Sequence, residues 1–157
     1  MNIAVGSDHA GYPLKEGVIQ HVKALGHSPT DVGAYGFDPD DDYPDFAIAI
    51  AKVIIKGEAE RGILMCGSGV GAVVALNKMR GIRACVCHDL YSAQQGVEHD
   101  DINVLCLGGR IVGPNLATEL VTAFLNAKFS GEERHVRRLG KVKDLDNRLG
   151  SIHTQLP

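Results

Sequence analysis

The sequence predicts an α/β fold in which a five-stranded parallel sheet is covered by helices on both faces. Three observations predict it. Short apolar runs alternate with longer helical patterns along the chain, and such alternation marks a parallel sheet whose crossovers are helices. Polar and glycine residues gather just after the apolar runs, at Ser7-Asp8-His9, the acidic loop, Cys66 to Gly71, His88-Asp89 and Gly108-Gly109-Arg110. Parallel sheets bind ligands at the carboxyl ends of their strands, so pattern and fold rule agree. The length of 157 residues suits one domain, expected over residues 1–149.

The elements follow in order. Ile3-Ala4-Val5 is a strand ending at Gly6. Residues 10–25 place Leu14, Val18, Val22 and Leu25 on one helical face, with Gly26 as the stop. A strand follows near Ser28 to Val32, then an acidic loop from Asp38 to Asp42. A helix runs from about Pro44 to Lys56, its proline in the first turn. Ile63-Leu64-Met65 is the third strand, succeeded by a glycine loop and a short helix to about Met79. Arg83 to Cys87 is a strand, Ser92 to Val97 a brief helix and Asn103 to Leu107 a strand, with His99 in the loop between them. Residues 114–128 form an amphipathic helix through Leu116, Leu120, Val121, Phe124 and Leu125. A charged helix from about Glu132 to Leu149 precedes a tail, 150–157, expected to fray.

Composition narrows the function. The net charge is −3, so no broad basic field invites nucleic acid or anionic lipid, and any anion site must be local. The first residues lack a basic segment and reach an Asp at position 8, unlike a signal peptide, so a cytoplasmic location is expected. The longest apolar run, Gly62 to Leu76, is too short to span a membrane. Among Cys66, Cys85, Cys87 and Cys106 there is no C-x-x-C pair, and the last three are expected to be buried reduced thiols. The acidic run Asp38-Pro39-Asp40-Asp41-Asp42 is not a calcium loop, because Tyr43 and Ala49 stand where Gly and Glu are required. It reads as a solvated loop.

The chemistry concentrates at Cys66-Gly67-Ser68-Gly69-Val70-Gly71. Three alternating glycines let the backbone turn tightly and approach a ligand. The following helix points free N–H groups and a partial positive charge at the turn, a cradle for an oxyanion or a phosphate. That helix terminus also favours the thiolate of Cys66, which could act as nucleophile or proton-transfer base. Ser68 could relay a proton between neighbouring oxygens. The loop is not a P-loop, but Gly67 to Ala72 matches G-x-G-x-x-A, with Asp89 at the distance of a ribose ligand. A dinucleotide-binding domain is the competing expectation. Against it stand the early end of the helix at Lys78 to Gly81 and the superfluous Cys66. Elsewhere, Asp8-His9 ends the first strand. Arg134 and Arg138, four apart and with His135 nearby, share one helical face that could clamp a phosphate or pair with Glu132, Glu133 and Asp144.

As an ordered set, several segments carry a specific resemblance: Gly6-Ser7-Asp8-His9-Ala10-Gly11, Asp42-Tyr43-Pro44-Asp45, Gly62 through Gly71, Asn77-Lys78 with Gly81-Ile82-Arg83-Ala84, Tyr91-Ser92-Ala93, and Asn103 through Gly113. From Ile3 to about Asp144 the chain resembles the type B ribose-5-phosphate isomerases and their relatives, including the galactose-6-phosphate isomerase subunits. The resemblance implies a Rossmann-like three-layer sandwich and an aldose–ketose isomerase that needs no metal or other cofactor. Its partner is a small phosphorylated sugar, and its sites are built across the interface of a dimer or dimer of dimers. It implies Cys66 as the base acting through an enediolate, the Gly67, Gly69 and Gly71 segment as holder of the enediolate charge, and Ser68 as the hydroxyl near the reacting oxygens, where many relatives carry Thr. It implies His99 with Asp8 in ring opening, His9, Arg110, Arg134 and Arg138 on the phosphate, and Tyr43 in the substrate pocket. Asp100 departs from the Asn that many relatives place against the anionic intermediate, which leaves the sugar's chain length open.

Overall fold

The computed structural model describes residues 1–152, with side chains described through residue 147. In chain order its elements are β1 (Asn2–Ser7), α1 (Tyr12–Ala24), β2 (Ser28–Asp31), α2 (Tyr43–Ile55), β3 (Arg61–Cys66), α3 (Val70–Leu76), β4 (Ala84–Val86), α4 (Leu90–Asp100), β5 (Val104–Gly108), α5 (Pro114–Asn126) and α6 (Glu133–Ile152). The five strands are parallel and ordered β2-β1-β3-β5-β4. The expected α/β sandwich is therefore the observed one.

Side chains alternate across each strand, and the sequence uses both faces. Ile3, Val5, Ile63, Met65, Leu105 and Leu107 bury against α1, α4 and α5 through Val18, Val97, Leu120 and Phe124. Ala4, Leu64, Cys66, Val104 and Cys106 face the other way, against Ala47 and Ile50 of α2 and Ala72 and Leu76 of α3. Both faces being dry explains why β3 and β5 are nearly unbroken apolar runs. It also assigns Cys66 to the α2/α3 face.

The boundaries differ from the expected ones for local reasons. α4 is longer than predicted, because Asp89 caps its start by accepting the Ser92 N–H at 2.8 Å. At its other end Asp101 takes a left-handed conformation, φ 51°, and Arg83 holds its carboxylate at 2.7 Å. His99 and Asp100 thus lie on the last turn of a helix, not in a loop. α3 stops at Leu76 because the Asn77 side chain is drawn onto the Ala84 backbone, accepting its N–H at 2.8 Å and donating to its carbonyl at 2.9 Å. Cys85 is half-buried where a buried thiol was expected, since β4 is an edge strand; Cys87 and Cys106 are buried. Of the tail expected at 150–157, residues 150–152 continue α6 and 153–157 lie outside the described residues.

The order of strands positions the site. From β1 the chain moves outward to β2, whereas from β3 it moves to the β5/β4 side. The segments leaving these adjacent strands diverge, which opens the crevice where doubly wound sheets bind ligands. Backbone bonds tie its walls together: Asp8 N–H to Met65 O at 3.1 Å, Gly109 N–H to Cys66 O at 2.7 Å and Arg110 N–H to Gly67 O at 3.0 Å.

Candidate active site

Cys66 ends β3, and the residue is 4% exposed. The Gly69 N–H donates to Cys66 Sγ at 3.1 Å, a contact that strengthens when the sulfur is anionic. The turn that makes it needs glycine. Gly69 is left-handed, φ 82°, at the N-cap of α3, and a Cβ there would sit 2.6 Å from Val86 Cγ2. The Ser68 hydroxyl accepts the Val70 N–H at 3.3 Å, so it lies at the same helix start. Gly71 faces the ring of Tyr43, whose Cζ would be 2.8 Å from a Cβ at that position. The first residue of α2 therefore closes one side of the loop.

Asp8, His9 and Arg110 stand on the neighbouring segments. Asp8 is buried, and its Oδ1 accepts the N–H groups of Ala10 at 2.8 Å and Gly11 at 3.0 Å, shaping the entry to α1. The Arg110 side chain reaches to 3.9 Å from where a Gly67 Cβ would lie, beside the glycine loop. His9 Nδ1 lies 2.7 Å from Asp41 Oδ1, and that bond is the main reason its basicity is raised, assisted by Asp8 and opposed by burial and Arg110. Asp41 corrects an expectation. The acidic loop is not simply solvated, because its fourth acidic-run residue turns inward to His9, with its side chain 10% exposed. No periodicity links residues 9 and 41; the run of four aspartates around Pro39 was the only signal, and it suggested solvent.

A second group gathers between α4 and α6. His99 stacks on His135 with ring centroids 4.0 Å apart, and His99 Nδ1 meets Gln95 at 2.7 Å. His135 is buried, bonded to Ser130 Oγ at 2.6 Å. Burial, then His99 and the arginines Arg134 and Arg138, hold its basicity below the ordinary imidazole value. Arg134 is exposed and pairs with Glu132 at 2.8 Å. Asp100 lines a cavity of about 320 Å³ with Asn77, Arg83, Ile102 and Leu139. Among the described residues no hydrogen bond, ion pair or ring contact joins this group to Cys66, Asp8 or His9. One chain thus links Asp8, His9, Tyr43, Cys66, Ser68, the glycines and Arg110 through neighbouring segments, while His99, Asp100, Arg134 and Arg138 are bonded to none of Cys66, Asp8 and His9 among the described residues.

The dinucleotide alternative loses its acidic residue, since the Asp89 carboxylate is spent on the α4 N-terminus. Among the described residues no helix is long and apolar enough to cross a membrane, and no cluster of three metal-ligating side chains occurs.

Comparison with known proteins places the chain in a family. The chain is 41% identical to the ribose-5-phosphate isomerase B of Escherichia coli K12 over 146 residues, 93% of this chain and 97% of the other. It is also 41% identical to the D-erythrulose-4-phosphate isomerase of Pectobacterium atrosepticum, covering 83% and 86%. The solved ribose-5-phosphate isomerase B of Clostridium thermocellum superposes with a TM-score of 0.90 at 42% identity, over 95% of this chain and 99% of that one. Residues 3–142 match the Ribose/Galactose Isomerase family, to which this chain belongs.

Proposed function

We propose that this protein interconverts ribose 5-phosphate and ribulose 5-phosphate through an enediolate, with Cys66 moving the proton between the first two carbons. The observation that carries the reading is the thiol held at the end of β3 against the Gly69 N–H, with Ser68 beside it and His9 and Arg110 on the adjoining segments. The Cys66 thiolate removes the proton from carbon 2 of the open aldose and returns it to carbon 1, while Ser68 passes the hydroxyl proton from oxygen 2 to oxygen 1. The Gly67 to Gly71 amides meet the negative charge as it develops, and preorganised donors of this kind are the largest single source of such rate enhancement. His9 and Arg110 bind the phosphate. His99, with Asp8, opens the sugar ring, and Arg134 and Arg138 complete the phosphate clamp.

In this reading the second group of residues reaches the first from another copy of the chain, in a homodimer or a pair of dimers. Two observations support it. Within one chain no hydrogen bond, ion pair or ring contact among the described residues joins the two groups. Val70 and Val74 are exposed on the first and second turns of α3, beside the glycine loop, with Ile111 exposed after β5. Apolar residues one turn apart at the mouth of a site are expected at an interface. This reading places the reaction in the cytoplasm.

A coupled assay on four-, five- and six-carbon sugar phosphates tests the reading. Preference for ribose 5-phosphate supports it; turnover confined to tetrose phosphates, the substrate class in the name of the Pectobacterium relative, would replace it. Cys66→Ala is expected to abolish proton exchange at carbon 2 in deuterated water while leaving substrate binding within a few-fold. Full exchange in that variant removes Cys66 as the base.

A further inference from the structure

Asp41 stands outside the chemistry just described, yet its side chain is held against His9 by two hydrogen bonds. Its Oδ1 accepts twice from the same residue, from the His9 N–H at 3.0 Å and from Nδ1 at 2.7 Å. The two bonds fix both the backbone entry and the rotation of the imidazole. Phe37, from the same loop, meets the His9 ring edge-on with centroids 6.5 Å apart. The Asp41 side chain is 10% exposed and that of His9 28%, so the pair is held partly out of water. Asp41 Oδ2 is buried and has no hydrogen-bond partner among the described residues. All the hydrogen bonding of this carboxylate seen among the described residues is thus directed onto His9.

We propose that Asp41 is a positioning residue. It keeps Nδ1 of His9 protonated and turned toward the loop, so that Nε2 presents a second N–H to the phosphate of the substrate. The proposal rests on the isomerase reading for the identity of that anion. The charged groups facing His9 are Asp8 on its own segment, Asp41 from the loop before α2 and Arg110 from the segment after β5. Two carboxylates against one guanidinium favour the imidazolium, and the direct bond to Asp41 is the largest contributor. A dianionic phosphate and an imidazolium are complementary, whereas a neutral ring oriented at random supplies a donor only part of the time.

The test compares Asp41→Asn and Asp41→Glu with the wild type. The His9 Cε1–H resonance, assigned by its loss in His9→Gln, is titrated by NMR with and without inorganic phosphate, and KM for ribose 5-phosphate is measured at pH 6, 7 and 8. In Asp41→Asn the His9 midpoint is expected to fall, and KM to rise by about tenfold at pH 8, the size expected for losing one charged hydrogen bond to the phosphate. The difference from wild type narrows at pH 6, kcat changes by less than the KM, and Asp41→Glu recovers most of the binding. An unshifted His9 midpoint, a KM rise equal at every pH, or no recovery in Asp41→Glu would each overturn the proposal. If the wild type turns over no sugar phosphate, the isomerase reading fails by itself, and the His9 titration against inorganic phosphate still decides the role of Asp41.

Discussion

At the scale of single residues, the turn after β3 turns on Gly69. Its left-handed backbone lets its N–H reach Cys66 Sγ, and nothing larger fits beside Val86. Gly69→Ala is expected to cost about 1–2 kcal/mol for the left-handed backbone alone, with a further cost for displacing Val86. Thermal unfolding should register the loss, and kcat should fall as the amide moves off the sulfur; unchanged stability and kcat would show that the turn tolerates a side chain. Cys66 and its glycines were legible from the residues alone, because alternating glycines after an apolar run have few other uses. Asp41 was not legible. A carboxylate in an acidic run looks solvated until the fold brings a histidine from 32 positions away.

At the scale of elements, the end of α4 shows how a helix limit is set by a partner that sequence periodicity does not see. Asp101 holds its left-handed backbone with Arg83, which donates through Nε to the Asp101 carbonyl and through Nη2 to its carboxylate, each at 2.7 Å. Asp tolerates this conformation better than most residues. Asp101→Ala loses that tolerance and the half-exposed ion pair together. The first effect is about 1 kcal/mol and the second up to about 1 kcal/mol, so urea unfolding is expected to show a loss of about 1–2 kcal/mol. Asp101→Asn should lose less, since Asn also enters the left-handed region. The expected helix from Ser92 to Val97 was too short because its capping residues, Asp89 and Asp101, act through hydrogen bonds and not through hydrophobic spacing. The strands needed smaller corrections, since their apolar runs are themselves the core.

At the scale of the whole molecule, Cys66 and His99 have different partners within one chain, the Gly69 N–H and Gln95 with His135, so a complementation experiment is decisive for the proposed shared site. Cys66→Ala and His99→Ala, each inactive alone, are expected to regain activity when denatured together and refolded as mixed copies, because one site per mixed dimer then holds both residues. Continued inactivity would mean that the two groups belong to one chain's site. Stability has its own whole-molecule signature. His135 and His27 both have basicity lowered below the ordinary imidazole value, chiefly by burial. Below pH 6.5 the unfolded chain binds protons that these folded side chains resist, so acid favours unfolding. His9 has the opposite sign, because its raised basicity stabilises the fold at low pH and that contribution fades as pH rises through its folded value. The urea midpoint is expected to drop between pH 7.5 and 5.5, and to drop less in His135→Asn. Equal slopes in both proteins would remove His135 from the acid response.

By itself the sequence determined the α/β class, the parallel sheet, the ordered motifs of the family and the loop from Cys66 to Gly71. These depend on contacts between near neighbours or on alternation along a strand, and both are written in residue order. Only the tertiary structure decided which side chains meet. It paired His9 with Asp41, laid Tyr43 against Gly71 and stacked His99 on His135. Each of those outcomes depends on the order of strands in the sheet and on where each connecting segment leaves it, and chain spacing carries no record of either.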